Sequence, residues 1–334
     1  MELWNRTLNC NGKLVCFDRP VVMGIVNVTS DSFYDGGGYP TEADLIRRCQ
    51  TIITEGGDII DVGAVSSRPG APNVDATEEL RRLDRALVSI RKHFPETIIS
   101  VDTCHADTAK AVVEKYGVNI INDITAGALD DRMFETVAAL HVPYVLTHIQ
   151  GTPATMQKNP VYNNLMSDII GYFSERVHRL RRLGVQDIII DPGFGFGKTM
   201  EHNYEILSRL KDLKIFRLPV LVGVSRKSMI YELLETDAQH ALNGTTAANT
   251  LALAGGADIL RVHDVKEAVE CVKIAQNVQS NYYSLSYFND SSNFSRVSRN
   301  ARTLLLWRSK FLITSPATSF AFSGAFCSSS FRSS

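Results

Sequence analysis

The sequence predicts an α/β fold of the (β/α)8 TIM barrel type. Three observations lead there. Eight short, strand-like runs alternate with helical patterns. Most of those runs are continuously apolar, as parallel strands covered on both faces are. The eight units occupy about 250 residues, the usual size of such a barrel. A doubly wound sheet is the alternative, but it uses fewer strands and carries a glycine fingerprint after its first one. Here the first run leads into Asn27-Val-Thr-Ser-Asp-Ser-Phe-Tyr-Asp35 instead.

In chain order, Glu2–Phe17 is expected to form a short hairpin closing the barrel bottom. The strands are expected at Val21–Thr29, Asp58–Ala64, Thr97–Thr103, Asn119–Ile124, Tyr144–Ile149, Asp187–Gly193, Pro219–Ser225 and Ile259–Asp264. Helical stretches between them include Glu42–Glu55, Thr77–His93, Ala106–Tyr116, Asp131–Leu140 and Tyr162–Leu183. The last helix, Val265–Ala275, has apolar residues at 265, 268, 269, 272 and 275, which share one helical face. It ends near Gln276. Residues 1–277 then form the catalytic domain, and 278–334 an atypical extension expected to be disordered.

Composition narrows the class. The chain has 334 residues, 44% hydrophobic and 21% charged, enough for a substantial core. A net charge of −1 gives no argument for a nucleic-acid partner. No basic region followed by an apolar stretch opens the chain, and no apolar run reaches the roughly 20 residues that span a bilayer. The six cysteines show no metal-ligand spacing and read as reduced thiols of a cytoplasmic protein. From Val278 onward there are six basic residues and one acid, so this stretch carries +5 and leaves −6 for residues 1–277. It holds 16 serines and seven of the 15 phenylalanines without helical or strand period. A non-native extension is favoured over a partner-binding segment.

Chemistry gathers where the strands end, the active face of this fold. Asn27 ends the first strand, and Ser66-Ser-Arg-Pro-Gly70 follows the second. Asp102 ends the third, Asn122 lies on the fourth, and His148 ends the fifth. Asp191 ends the sixth and opens the run Asp191-Pro-Gly-Phe-Gly-Phe-Gly-Lys198. Ser225-Arg-Lys227 ends the seventh and Arg261-Val-His263 the eighth. The glycine run misses the P-loop spacing by one residue. Each polar group also has a plain structural reading. Asp102 could cap a helix, Asn122 could satisfy a loop, and Lys227 could favour a helix start. For His148 a hydrogen-bonded core position is preferred. Arg, Lys and His at adjacent strand ends exceed what independent caps supply. Asp102, Asn122 and Asp191 suit an aminopyrimidine-like edge. Arg261 and His263 suit phosphate, and Asn27 could help hold a Mg²⁺ bridging phosphates.

These runs, with Met23–Gly37, Ser100-Val-Asp-Thr103, Ile121-Asn-Asp-Ile124, Ser225-Arg-Lys-Ser228 and Arg261-Val-His-Asp264, resemble the dihydropteroate synthase family of folate biosynthesis. The resemblance covers about residues 1–277. It implies a transferase that joins 6-hydroxymethyl-7,8-dihydropterin diphosphate to p-aminobenzoate. It implies a pterin site of Asp102, Asn122, Asp191, Gly223 and Lys227. It implies a diphosphate site of Asn27, Arg261 and His263 with Mg²⁺, and a p-aminobenzoate site shaped by Ser67, Arg68, Pro69, Phe196 and Ser225. Lys227, Asp191, Arg261 and His263 would carry catalysis. Sulfonamides would be inhibitors, and the assembly a homodimer. The family usually has Pro where Ser30 stands, and Gly-Glu-Ser-Thr-Arg against Ala64-Val-Ser-Ser-Arg68. These departures bear on affinity for p-aminobenzoate and sulfonamides. A pterin-binding methyltransferase barrel and a non-catalytic pterin-binding barrel are the rival readings.

Overall fold

The computed structural model describes residues 7–28, 41–65, 74–153, 155–156 and 160–289, with the backbone alone over 279–289. An N-terminal hairpin, β1 (Thr7–Cys10) and β2 (Lys13–Cys16), precedes eight parallel strands. These are β3 (Val21–Asn27), β4 (Ile59–Gly63), β5 (Ile98–Asp102), β6 (Ile120–Asp123), β7 (Tyr144–Thr147), β8 (Ile188–Asp191), β9 (Leu221–Val222) and β10 (Ile259–Val262). They run in the order β8-β7-β6-β5-β4-β3-β10-β9. A parallel bridge from Ile190 to Val220 joins the two ends and closes the barrel.

Helices fill the crossovers: α1 (Glu42–Thr54), α2 (Ala76–His93), α3 (Ala106–Tyr116), α4 (Met133–Leu140), α5 (Leu165–Arg182) and α6 (Met200–Ser208). A 3₁₀ turn at Leu210–Phe216 precedes β9; α7 (Ser228–Tyr231), α8 (Leu242–Ala254) and α9 (Val265–Asn289) follow. Local chemistry starts several of them. The side chains of Thr41, Asp75 and Asn164 accept from the backbone N–H of Asp44, Glu78 and Ser167. Such caps satisfy donors that the helix leaves free.

The elements differ from the expected ones in two respects. Among the described residues, most strands stop one to three residues short of the apolar runs, and at the rim Val28, Thr103 and His148 each keep one backbone N–H bond to the neighbouring strand end. The last helix runs past Gln276 to Asn289. Val278–Asn289 holds neither Gly nor Pro, so nothing there breaks a helix. The chain divides at Asn277–Val278, and the barrel lies in the first unit. The remainder of the extension, 290–334, lies outside the described residues.

The core has two parts. Between barrel and helices, Ile60, Val62, Leu83, Leu87 and their neighbours pack into one continuous apolar layer. Inside the barrel floor, Leu8, Cys10 and Val15 of the hairpin meet Met23, Ile59, Ile120, Val145, Ile189, Leu221 and Ile259. The Asn119 amide donates to the Cys10 carbonyl at 3.0 Å, fixing the hairpin to the start of β6. The expected hairpin is therefore a plug, and it leaves only the opposite mouth for chemistry. Leu8→Ala should cost about 2–5 kcal/mol, the usual range for a buried leucine. The chevron or the denaturation midpoint would show it; an unchanged midpoint would mean the plug is not part of the cooperative core.

Candidate active site

At the C-terminal mouth, Asp102, Asn122, Asp191 and Arg261 come together from β5, β6, β8 and β10. At the centre is a residue absent from the expected set, Asp61 of β4, which is fully buried. Arg261 Nε donates to Asp61 Oδ2 at 2.7 Å and Arg261 Nη2 donates to Asp102 Oδ2 at 3.0 Å. Asn122 Nδ2 donates to the same Asp61 oxygen at 3.2 Å. One guanidinium thus serves two carboxylates. The signal for Asp61 was available: an acid interrupts the run Ile59-Ile60-Asp61-Val62.

The capping reading of Asp102 does not hold. Its carboxylate faces Arg261, and the Ala106 N–H at the start of α3 is served by Asp130 at 2.9 Å. Lys227 does precede α7, but its side chain makes no cap bond. Its ammonium instead donates to the Phe194 carbonyl and stands 4.4 Å from the Phe196 ring centroid.

The glycine run after β8 folds back on the end of β7. Gly193, Gly195 and Gly197 all have positive φ, 70°, 77° and 66°. A Cβ at Gly193 would lie 1.9 Å from the His148 carbonyl oxygen, so only glycine fits. Lys198 is buried and fastens this contact. Its Nζ lies 2.9 Å from His148 Nδ1, 3.0 Å from the Phe196 carbonyl and 3.3 Å from the His148 carbonyl. His148 packs edge-on to Tyr172 with ring centroids 4.7 Å apart, in keeping with the core position preferred for it. Asn203 adds a further tie, accepting from Gly195 N–H at 2.8 Å. Asp191 accepts from Gly193 N–H at 2.8 Å, at the root of the loop.

On the other side of the mouth, His263 follows β10. Ser225 Oγ accepts from the His263 backbone N–H at 3.1 Å and lies 3.2 Å from His263 Nδ1. Ser225 therefore positions His263. Ser225 Oγ has two lone pairs and one proton, so it can meet Nδ1 in either tautomer of the His263 ring. Gly223 lies beside Arg261, where a Cβ would sit 3.8 Å from the Arg261 Cβ. Asn27 ends β3 at the rim. Across Gly63, its Oδ1 and Asp102 Oδ2 converge, at 3.6 and 3.8 Å from where a Gly63 Cβ would be. Ser67, Arg68 and Pro69 lie outside the described residues, as does Ser30.

Burial dominates the electrostatics. It pushes the Asp102 carboxyl up to about 7, Arg261 opposing and Asp61, Glu79 and Asp123 reinforcing. It raises Asp191 too, against the pull of Lys227, the Gly193 N–H, Arg261 and Lys198. It lowers Lys227 to about 8 although Asp191 resists. It also lowers His263 to about 4, with Arg261 adding to the effect. For Arg261 burial is outweighed by Asp61 and Asp102, which hold the guanidinium charged. His263 is thus a neutral imidazole near pH 7, and Arg261 supplies the fixed positive charge. Among the described residues, no three His, Cys, Asp or Glu gather into a metal cage.

A (β/α)8 barrel with an arginine shared by buried carboxylates at its strand ends defines a class: a barrel enzyme built for a polar, charged small molecule. Comparison with known proteins gives the particular family. A profile described as pterin binding enzyme matches residues 23–263. Dihydropteroate synthase of Escherichia coli strain K12 is 42% identical over 271 residues, 80% of this chain and 95% of that protein. The Synechocystis enzyme of the same name is 39% identical over 260 residues, covering 77% and 89%. The Yersinia pestis dihydropteroate synthase, solved with a sulfonamide drug complex, superposes with a TM-score of 0.78 at 39% identity, over 82% of this chain and 99% of that one. The Xanthomonas albilineans enzyme with 4-aminobenzoic acid gives 0.75 at 37% identity, over 82% and 98%. The chain belongs to the pterin-binding enzyme family, among its dihydropteroate synthases.

Proposed function

We propose that the barrel, residues 1–277, condenses 6-hydroxymethyl-7,8-dihydropterin diphosphate with p-aminobenzoate, giving 7,8-dihydropteroate and diphosphate. The observation that carries this reading is the mixed chemistry gathered at one mouth. Asp102, Asn122 and Asp191 offer acceptors there, and Arg261, paired with Asp102, and His263, held against Ser225, offer donors. A pterin edge fits the first set and a diphosphate the second. A methyltransferase barrel has no use for the second set. Sulfonamides are the expected inhibitors, in line with the Yersinia pestis complex. A homodimer in the cytoplasm is the expected form; among the described residues no helix is long and apolar enough to cross a membrane.

The residues divide the work. Asp191 accepts from the exocyclic amine and ring N–H of the pterin, and Asn122 and Asp102 complete that edge. Lys227 closes over it. Arg261 takes up charge on the departing diphosphate and the neutral His263 ring donates to it through its N–H. The C–O bond breaks early, because an electron-rich dihydropterin stabilises a cationic methylene. The arylamine is already nucleophilic at neutral pH and needs no strong base. Phe196, held by Lys198 through its carbonyl, and Ser67, Arg68 and Pro69 are assigned to p-aminobenzoate. Asn27 offers a neutral hard oxygen at the rim that fits Mg²⁺ arriving with a diphosphate, where the ion would neutralise phosphate charge.

Diphosphate release should therefore require both substrates and Mg²⁺ together. Purified protein assayed for diphosphate, with each substrate omitted in turn and with excess chelator, checks this. Equal turnover in chelator removes the metal from the scheme, and release without p-aminobenzoate removes the condensation. A second expectation concerns pH. Asp102 works as an anion above about 7 and Lys227 as a cation below about 8. The kcat/KM profile of the free enzyme should fall on the acid side through Asp102 and on the alkaline side through Lys227. A flat profile from pH 6 to 9 would refute that pairing.

A further inference from the structure

We propose that Asp61 is a positioning residue for the reaction, fixing the Arg261 guanidinium and the Asn122 amide from beneath the mouth. This rests on the functional reading above. Both bonds converge on one atom, Asp61 Oδ2, at 2.7 Å from Arg261 Nε and 3.2 Å from Asn122 Nδ2. Asp61 is fully buried, and among the described residues its Oδ1 has no hydrogen-bond partner. A buried carboxylate is costly unless it is paired. Here the pairing has two consequences for the groups above.

The first concerns Asn122. An ionised carboxylate only accepts, so the amide must turn its NH₂ to Asp61. The Asn122 oxygen is then the atom left for a ligand, and Asn122 acts as an acceptor. Without Asp61 the amide has no reason to hold that orientation. The second concerns Arg261. Its Nε edge is taken by Asp61 and its Nη2 by Asp102, at bonds from two different strands. These two directions fix the plane of the guanidinium. With Asp102 alone, the plane could turn about a single contact.

Asn122 and Arg261 both belong to the dihydropterin diphosphate side, so the effect should be one-sided. Asp61→Asn keeps an acceptor oxygen but removes the charge. It should raise KM for dihydropterin diphosphate about tenfold, the size of one charged hydrogen bond, and leave KM for p-aminobenzoate within about twofold. The pair Asp61→Asn and Asn122→Ala should be only partly additive: in the Asn122→Ala background Asp61→Asn should cost less than it does alone, keeping only the share that runs through Arg261. Equal rises in both KM values, or fully additive losses, would overturn the proposal by making Asp61 a general folding residue. Asp61→Ser, smaller and also neutral, is the second variant should Asn disturb packing; failure of both to fold likewise overturns it. Wild-type turnover in the same assay separates the two questions. If wild-type protein does not turn over, the functional reading fails. Calorimetry with inorganic diphosphate then still reads Arg261: about tenfold weaker binding by Asp61→Asn supports the positioning, and equal binding sinks it.

Discussion

Lys227→Ala should lower kcat/KM at least about a hundredfold, near 2.7 kcal/mol of transition-state stabilisation. The size follows from three losses at once. The ammonium that donates to the Phe194 carbonyl is gone, and with it one tether of the glycine loop. The cation above the Phe196 ring is gone. Asp191 also loses its strongest counter-charge, so its carboxyl, already raised by burial, rises further. A protonated Asp191 cannot accept two N–H groups from a pterin edge. The alkaline limb assigned to Lys227 should vanish, and Asp191, harder to ionise, should add its own titration to the acid side. Lys227→Arg should not rescue, because a planar fork replaces a compact ammonium in a packed mouth. Steady-state kinetics across pH would settle the matter, and near wild-type kcat/KM would remove Lys227 from the site.

How far the sequence could carry this depends on what kind of signal each residue left. Barrel strands were legible because strands buried on both faces must be apolar throughout, and the mouth because polar residues follow such runs only where something polar is bound. The unread residues are those that act through others. Asp61 sits inside a strand run, where an acid looks like an interruption. Glu79 lies on the buried stripe of α2 with Leu83, Leu87 and Ile90, and accepts from Thr103 Oγ1 at 2.7 Å behind Asp102. A carboxylate at that helical period was readable as a buried polar contact, but not its partner, which is 24 residues away. Lys198 was visible as the end of the glycine run, yet its bonds to His148 depend on a backbone approach that no spacing shows. Ser225 was visible as a strand end, yet its contact with His263, 38 residues on, is likewise shown by no spacing. The order of strand ends is in the sequence; which side chain turns to which neighbour is decided by the closing of the barrel.

Asp191→Asn should also cost at least about two orders of magnitude in kcat/KM, for a reason that separates charge from shape. Asn has the volume of Asp, and its Oδ1 can keep the 2.8 Å bond from Gly193 N–H. The loop should stay folded, and the thermal midpoint should move little. That bond then turns the new NH₂ toward the ligand. A donor meets donors, where the carboxylate offered two acceptors, and the mismatched polar groups stay buried and unpaired. Loss of the carboxylate also removes the charge that resists the lowering of Lys227, so Lys227 should titrate below about 8 and the alkaline limb should move to lower pH. The loss should fall on dihydropterin diphosphate, and p-aminobenzoate should keep its KM. A variant with an intact midpoint and a weakened pterin would assign recognition to the carboxylate charge. If the midpoint falls by many degrees and both substrates weaken together, Asp191 is chiefly the anchor of the glycine loop, and the pterin edge must be read by Asp102 and Asn122.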